Sequence, residues 1–258
     1  MHVHVLASGS TGNSVLLDFE DTKILVDAGI STRRIKNSLA EIGVEMEALD
    51  GVFITHEHRD HISGLPTMTK KYKLPVYATS DTWNNMYCQE EIPVECRQLL
   101  PESMDIGKVK MEPFRISHDA ADPVGFRFYC GSKKCSVVTD LGFVTDSVKK
   151  AISLSDVLVL ESNHDPEMLK NGSYPWHLKK RIMSNRGHLS NFDAAWTLAR
   201  LERKSRTQVL LAHMSKENNC PELAEGTVRD ILTEQGCKLE SELDLHVTYP
   251  DQRVSIRF

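Results

Sequence analysis

Residues that can bind metal ions are concentrated in one short segment, Thr55-His56-Glu57-His58-Arg59-Asp60-His61. The segment directly follows the apolar run Val52-Phe53-Ile54, which is typical of a buried strand. Imidazole nitrogens and carboxylate oxygens are common metal ligands in proteins. We therefore predict a site for two cations, each receiving a pair of ligands: His56 with His58, and Asp60 with His61. The alternative is a charged surface loop.

One loop cannot complete the coordination of two metal ions, so further ligands are expected at the ends of other strands. Residues of suitable type end three later apolar runs: His118, Asp140 and His213. Asp27 ends an earlier run, and the Ala28-Gly29 that follows it allows close approach of the backbone. Taken singly, each of these residues could be a solvated strand end. Together they predict a site built where strands end.

The elements that must position these residues are short strands and helices. Alternating and β-branched runs predict the strands, while capping residues, glycines and prolines mark the helix ends. We predict strands over 2–7, 14–18, 23–26, 52–55, 74–78, 108–116, 124–130, 135–139, 157–161 and 209–212, a closing hairpin over 245–258, and helices over 31–42, 144–152, 190–201 and 221–236. Many of the strands are adjacent in sequence, which favours two mainly antiparallel or mixed sheets covered by helices, in a single domain over residues 1–258.

Composition narrows the class of protein. The 258 residues are 40% hydrophobic and 26% charged, which is typical of a folded globular protein. No apolar run approaches the roughly 20 residues of a membrane span, and the first residues do not resemble a secretory signal, so we expect a cytoplasmic protein. The six cysteines form no C-x-x-C pair and are expected to be free thiols. The formal net charge of −5 argues against a protein that coats nucleic acid, although two bound divalent cations would bring it close to neutrality.

The H-x-H-x-D-H pattern of His56–His61, with Asp27 before it and single ligands after it, resembles the metallo-β-lactamase superfamily over nearly the whole chain. The resemblance implies an α/β (α+β) fold, a four-layer αββα sandwich of two mixed sheets, with two divalent metal ions at one edge. It also implies the ligand sets: His56, His58, His118 and Asp140 for one ion; Asp60, His61, Asp140 and His213 for the other; and Asp27 to orient the histidine loop. Zinc, manganese and iron all suit these donors, with Zn²⁺ or Mn²⁺ expected, and a water that bridges two such ions becomes a hydroxide nucleophile near neutral pH.

A second group of motifs concerns the substrate. The segment Arg186–Asn191, the pair Ala194-Ala195 and His213-Met214-Ser215 are similar to the phosphodiesterase branch of the superfamily, which includes tRNA 3′-processing nucleases. This similarity implies that His188 and Glu161 form a pair that assists departure of the leaving group. His188 also lies just before a predicted helix, where Ser190 and Asn191 could contact a substrate phosphate.

Four segments together resemble the YycJ/WalJ branch of bacterial proteins: Ser8–Ser14, Thr55–His61, Gly187–Asn191 and His213–Asn219. The resemblance implies a metal-dependent 5′→3′ exonuclease that acts on DNA. In the expected mechanism a metal-bridging hydroxide attacks phosphorus, Asp60 orients it, and the His188–Glu161 pair protonates the leaving oxygen. Met214 and Cys220 depart from the Leu and Thr expected at these positions, and neither is a predicted ligand.

Two other functions stay open at this point. A hydrolase of a small substrate, such as a cyclic nucleotide or a thioester, would act on the small molecule and leave polymers intact. A noncatalytic metal-dependent regulatory protein would bind a partner without turnover. The sequence leaves open the native metal, the choice between DNA and RNA, and the oligomeric state.

Basic and aromatic residues indicate where a nucleic acid could bind. We favour the stretch Tyr174–Arg186, in which Tyr174 and Trp176 could stack on bases, because it lies near His188 in sequence. Two other basic groups are expected to be solvated faces: Lys70-Lys71-Tyr72-Lys73, and Arg200, Arg203, Lys204 and Arg206.

Overall fold

The computed structural model describes residues 1–204 and 206–258. Within these residues the chain forms fourteen strands and nine α-helices. The strands are β1 His2–Ala7, β2 Ser14–Asp18, β3 Lys23–Val26, β4 Gly51–Phe53, β5 Val76–Ala78, β6 Arg97–Leu99, β7 Met104–Ile106, β8 Val109–Arg115, β9 Val124–Cys130, β10 Lys133–Val138, β11 Val157–Glu161, β12 Thr207–Ala212, β13 Leu243–Val247 and β14 Val254–Arg257. The helices are α1 Thr32–Ala40, α2 Arg59–Ile62, α3 Leu65–Tyr72, α4 Ser80–Asn85, α5 Asp146–Ile152, α6 Pro166–Asn171, α7 Trp176–Ile182, α8 Asn191–Ala199 and α9 Pro221–Glu234.

The described chain divides into two compact units. The first comprises Met1–Glu112, Ala120–Pro123 and Tyr249–Phe258, and the second comprises Pro113–Asp119 and Val124–Thr248. The chain passes from the first unit to the second within β8. The single domain predicted for residues 1–258 stays a prediction.

The first unit is built on a mixed sheet in the order β14-β1-β2-β3-β4-β5-β6. Strands β14 to β3 pair antiparallel, and β3 to β6 pair parallel because helices connect them. Helix α1 begins at its cap Ser31, whose side chain accepts a hydrogen bond from the Arg34 backbone. It turns Ile35 and Leu39, four residues apart, into the core. The parallel strands β3 and β4 are neighbours, so the residues that follow them lie at the same edge of the sheet.

The second unit contains most of the other sheet, in the order β13-β12-β11-β10-β9-β8-β7. Strands β10 to β13 are parallel, and β9 pairs antiparallel with β10. Alternate residues of β11 and β12, such as Leu158 and Leu211, pack against the buried faces of α5, α8 and α9. The carboxyl ends of β10, β11 and β12 are therefore adjacent, and polar side chains follow all three.

The structure confirms the predicted class of two mixed sheets with helices, and five strands have the predicted bounds: β1, β2, β3, β9 and β11. The predicted closing hairpin is wrong. Strand β13 pairs parallel with β12, whereas β14 pairs antiparallel with β1 in the other sheet. The two last strands are adjacent in sequence, but each completes the edge of a different sheet.

Two features of the composition also have structural outcomes. All six cysteines are free thiols, as predicted. Among the described residues, no helix combines the length and the apolar character needed to cross a bilayer.

Candidate functional site

The histidine segment lies at the carboxyl end of β4 and enters α2 at Arg59. His56 Nε2 and His58 Nδ1 are 3.0 Å apart, and the rings of His56 and His61 have centroids 4.1 Å apart. The segment can turn this tightly because Gly29 packs against it: a Cβ at Gly29 would lie 1.7 Å from the Asp60 carbonyl oxygen. The four predicted ligands of the first unit are thus held together by one loop and one close backbone approach.

Asp27 anchors this loop through both of its carboxylate oxygens. Its Oδ1 accepts the Thr55 backbone N–H at 2.9 Å, and its Oδ2 accepts the Thr55 hydroxyl at 2.9 Å and the His61 ring Nδ1–H at 2.7 Å. The side chain is buried, and its backbone has a φ of 60°, a conformation that Asp tolerates better than most residues. Because Nδ1 of His61 donates to Asp27, its Nε2 is the atom that could bind a metal ion.

Asn13 is a residue of this site that the sequence analysis did not single out. Its side-chain Nδ2 is 3.2 Å from His61 Nε2 and 3.5 Å from Asp60 Oδ2, and its backbone N–H donates to the Asp60 carbonyl at 2.8 Å. The motif Ser8–Ser14 contained the signal, but a contact between residues 47 positions apart is not visible in a local pattern.

The second unit brings together four predicted residues from four separate elements. Asp140 follows β10, Glu161 ends β11, His213 follows β12, and His188 lies just before α8. One potential ligand atom from each lies within 4.8 Å of those of the other three. Asp140 and His213 have left-handed backbone conformations, with φ of 60° and 55°. Strained backbone of this kind is characteristic of functional sites.

Glu161 is the centre of this cluster and is fully buried. Its Oε1 accepts hydrogen bonds from His188 Nδ1 at 2.9 Å and from His213 Nδ1 at 2.8 Å. Its Oε2 accepts the backbone N–H groups of Leu141 and Leu189, both at 2.9 Å. One carboxylate therefore fixes two imidazole rings and two loops.

The electrostatics of the cluster follow from this arrangement. Burial alone would raise the pKa of Glu161, but the His188 and His213 imidazoles and their hydrogen bonds lower it to about 2. Burial lowers the pKa of His188, but the charge and hydrogen bond of Glu161 outweigh this effect and raise the pKa of His188 above its ordinary value. The pair favours an ionised carboxylate beside a protonated imidazole, which can donate a proton.

His118 joins the same unit from the end of β8. Its Nδ1 is 3.1 Å from the Gly187 carbonyl oxygen, and its Nε2 is 3.7 Å from Asp140 Oδ1. Burial lowers the pKa of His118, so the ring is neutral near pH 7. A neutral imidazole whose Nδ1–H is held by a carbonyl is the usual state of a histidine that binds metal through Nε2.

Ser190 and Asn191 were predicted to contact a substrate phosphate, and their side chains are engaged elsewhere. The Ser190 hydroxyl caps α8 by accepting the Asp193 backbone N–H at 3.1 Å. The fully buried Asn191 amide accepts from the Ser162 hydroxyl at 2.7 Å and donates to Asn219 Oδ1 at 2.9 Å. These hydrogen bonds hold the start of α8 in place.

The basic stretch Tyr174–Arg186 is also largely engaged within the protein. Lys179 is buried, and its Nζ donates to the carbonyls of Lys170 and Gly172 at 2.9 and 2.6 Å. The Arg181 guanidinium pairs with Asp119. Trp176 is 58% exposed and is stacked only by Lys180 among the described ring contacts. The stretch offers fewer free cations than its sequence indicated.

Each unit thus presents imidazole and carboxylate side chains that could bind metal ions. Nitrogen and oxygen donors of this kind suit divalent zinc and manganese. The rings whose Nδ1 atoms are held by Asp27, Glu161 or a carbonyl have their Nε2 atoms oriented for coordination. The donor sets fit the metal ions that the sequence predicted.

Comparisons with known proteins agree with this chemistry. A family model described as a beta-lactamase superfamily domain matches residues 22–214. Exodeoxyribonuclease YycJ of Bacillus anthracis is 38% identical over 261 residues, covering 100% of this chain and 99% of that protein. Exodeoxyribonuclease WalJ of Streptococcus pneumoniae serotype 2 is 38% identical over 252 residues, covering 96% of this chain and 94% of that protein.

The fold is similar to solved structures as well. The crystal structure of the metallo-beta-lactamase fold protein YhfI from Bacillus subtilis superposes with a TM-score of 0.71, covering 98% of both chains at 15% sequence identity. At this identity the similarity establishes the fold. The predicted fold class is confirmed on this independent ground.

Proposed function

Because the chain belongs to the beta-lactamase superfamily and, within it, to the family of the exodeoxyribonucleases YycJ and WalJ, we propose that it is a metal-dependent phosphodiesterase that digests DNA from the 5′ end. The observation that carries the proposal is the pair of Glu161 and His188, joined at 2.9 Å beside a cluster of metal-ligand residues. Such a pair supplies the proton that a departing oxygen of the DNA backbone needs.

The proposed metal ligands are those that the sequence predicted, and two divalent ions are proposed, Zn²⁺ or Mn²⁺. These ligands are His56, His58, Asp60, His61, His118, Asp140 and His213. Bound divalent ions would polarise the phosphodiester and neutralise the negative charge that develops on it. Asp27 and Glu161 would act on the ligands by holding their rings.

The chain's own residues then have distinct tasks. Glu161 orients His188 and favours its protonated form, from which the ring can donate a proton to the leaving oxygen. The Asp60 carboxylate, whose side chain is 27% exposed, is proposed to orient the attacking water and accept its proton. Asn13, beside both Asp60 and His61, fixes the position of that carboxylate.

We also propose a cytoplasmic location. Six free thiols, four of them buried, suit a reducing compartment, and a DNA substrate is found there in bacteria such as those of the two relatives.

The first experiment measures digestion of linear duplex DNA labelled at the 5′ or the 3′ end, with Mn²⁺, Zn²⁺ or a chelator. We expect metal-dependent release of the 5′ label as the earliest product. The Asp60→Asn variant should be slower by about 10²–10⁴-fold, the typical contribution of one acid–base group. Asp105→Asn, on an exposed position of β7, is the matched control and should digest DNA like the wild type.

Undiminished digestion by Asp60→Asn would contradict the role of that residue. DNA that stays intact with every metal would contradict the nuclease and favour a small substrate, such as a cyclic nucleotide or a thioester.

A second experiment isolates His188. His188→Ala should slow DNA digestion by about 10²–10⁴-fold. It should slow hydrolysis of bis(p-nitrophenyl) phosphate much less, because nitrophenolate leaves without protonation. The exposed His177→Ala on α7 is the control of the same residue type and should affect neither substrate. Equal losses on both substrates would show that His188 does not act as the acid.

A further inference from the structure

A groove crosses the second unit on the outer side of α5 and α8. It consists of two adjoining cavities of about 700 and 460 Å³. Both cavities are lined by Asp146 and Lys149 of α5 and by Arg200, which caps the C-terminus of α8. Because these residues are shared, the cavities form one continuous surface, which we call the α5–α8 groove.

The smaller cavity of the groove begins beside the candidate catalytic cluster. Its lining includes Gly142, two residues after Asp140, and Leu189, the residue after His188. The backbone N–H of Leu189 donates to Glu161 Oε2 at 2.9 Å. This end of the groove is therefore lined by residues close in sequence to Asp140 and His188, one of which is hydrogen-bonded to Glu161.

Aromatic side chains line the same cavity. Phe143 is 40% exposed, and Trp196 has the Arg200 guanidinium 4.7 Å from its ring centroid. Trp196 and Arg200 are four residues apart on the outward face of α8, because Ala194, Ala195 and Leu198 face the core. Aromatic rings beside a guanidinium are the platform on which nucleic-acid bases stack.

The larger cavity is basic. Its lining contains six cationic side chains and only two acidic ones, Asp146 and Glu202; the cationic residues are Arg127, Lys134, Lys149, Lys150, Arg200 and Lys204. Lys149 and Lys150 point outward because Val148, Ala151 and Ile152 form the buried face of α5. Two of the six, Lys134 and Lys204, donate hydrogen bonds to the protein. A third, Arg127, lies within strand β9. Lys149 and Lys150 on α5 and Arg200 at the end of α8 are the three remaining cations, and these can serve a ligand.

We propose that the α5–α8 groove binds one DNA strand, stacking bases on Phe143 and Trp196 and pairing phosphates with Lys149, Lys150 and Arg200. The inference rests on the proposed nuclease function and names the surface that guides its substrate. The nine residues of α8 extend about 13 Å at 1.5 Å per residue. At about 3.4 Å per phosphate in a B-form strand, that length spans roughly four phosphates. The groove replaces the stretch Tyr174–Arg186 as the principal contact to DNA.

The test compares two triple variants with the same loss of charge. Lys149→Gln, Lys150→Gln and Arg200→Gln neutralise the groove, whereas Lys36→Gln, Lys70→Gln and Lys71→Gln neutralise exposed residues of α1 and α3. Binding of a fluorescent single-stranded DNA is measured with chelator present, so that no digestion occurs, over a range of salt concentrations. Hydrolysis of bis(p-nitrophenyl) phosphate with metal present reports the active site without the groove.

The groove variant should bind DNA at least about tenfold more weakly, and the slope of log affinity against log salt should fall in magnitude by about 2, as three lost phosphate contacts require. The control variant should bind like the wild type, and both should hydrolyse the small substrate at the wild-type rate. The proposal would be overturned if the wild type and the groove variant bound DNA with equal affinity. It would also be overturned if both triple variants lost the same amount of affinity.

A pair of aromatic variants tests the groove without changing charge. Phe143→Ala should weaken DNA binding by about tenfold through lost stacking, and Trp176→Ala should not. The reverse result would overturn the proposal in favour of Tyr174–Arg186.

Failure of the nuclease proposal has a different signature. A wild-type protein that binds DNA through the groove but does not digest it would support the groove and contradict the exonuclease. If the wild-type protein digests DNA and the groove variant binds DNA as tightly as the wild type, the exonuclease is supported and the groove is contradicted.

Discussion

Each unit has a buried carboxylate that holds candidate site residues by hydrogen bonds, and the two carboxylates differ in how many groups they hold. In the first unit Asp27 holds one imidazole, His61, and the N–H and O–H of a single residue, Thr55. In the second unit Glu161 holds two imidazoles and the backbone of two loops. The first carboxylate orients one continuous segment, whereas the second joins residues contributed by three strand ends and a helix start. The second cluster should therefore depend more on its single anchor.

The largest effect is expected from Glu161→Ala. The change leaves the buried His213 imidazole, the half-buried His188 imidazole and two buried N–H groups without their acceptor, which should lower the free energy of unfolding by about 3–5 kcal/mol. Urea unfolding with chelator present measures this without any contribution from metal ions. A loss no larger than that of Asp27→Ala, measured in parallel, would refute the difference between the two anchors.

A buried histidine that is not held by a carboxylate hydrogen bond provides the next test. The ring of His4, on β1, lies 2.7 Å from the Ser255 hydroxyl. Burial and the nearby positive charges of His2 and Arg253 lower the pKa of His4, and the Asp18 carboxylate raises it. The lowering effects are larger, so the pKa of His4 is about 4. Between that value and its ordinary pKa of 6.5, the unfolded chain binds a proton that the folded chain refuses. The stability due to neutral His4 is therefore lost as the pH falls from about 7 to 4.

We expect the wild type to lose about 2–3 kcal/mol more than His4→Gln over this pH range. Urea unfolding at pH 7, 5.5 and 4.5 measures the difference, which should increase at each step down in pH. Parallel profiles for the two proteins would show that His4 titrates normally.

The sequence predicted the first cluster more directly than the second. His56, His58, Asp60 and His61 stand within six positions, so their spacing alone brings them together. Glu161, His188 and His213 are spread over 53 positions, and only their places at the ends of apolar runs and a family resemblance indicated that they meet. Asn13 was missed because its role depends on a long-range contact with Asp60. The same limit explains the closing hairpin, since pairing with two different sheets leaves no local pattern.

The α5–α8 groove shows that a basic surface is also difficult to predict from the sequence alone. Lys149 and Arg200 belong to different helices, and neither stands in a dense basic run near His188. The stretch Tyr174–Arg186 is dense, but Lys179 and Arg181 are engaged with the protein. Charge density in sequence alone therefore does not identify a binding surface, because hydrogen bonding and helix faces decide which cations can reach a ligand.

The Asp27→Asn variant tests the carboxylate of the first unit, which holds fewer groups than Glu161. Asn tolerates the left-handed backbone at this position, and its single amide oxygen can still accept the Thr55 backbone N–H. Its NH2 group then stands where the oxygen that accepts from His61 Nδ1–H stood, and an NH2 group cannot accept that hydrogen bond. We expect a loss of about 1–3 kcal/mol in the free energy of unfolding with chelator present. Metal affinity, followed by zinc titration, should fall by about 10–100-fold through the disoriented ring. Unchanged zinc binding would show that His61 needs no orienting carboxylate.

The smallest effects concern two helix caps of the same residue type. Ser31 and Ser190 each cap a nine-residue helix, α1 in the first unit and α8 in the second. Ser31 is exposed and its cap bond is 3.3 Å long, whereas Ser190 is buried, with a cap bond of 3.1 Å and a contact of 2.5 Å to Asp193 Oδ2. Ser190→Ala should therefore cost about 1–2 kcal/mol and Ser31→Ala about 0.5–1 kcal/mol in urea unfolding. Because α8 lies between His188, which precedes its N-cap, and Arg200, which caps its C-terminus, Ser190→Ala should also slow DNA digestion, and Ser31→Ala should leave the rate unchanged. A rate loss in Ser31→Ala alone would place the more sensitive helix in the first unit.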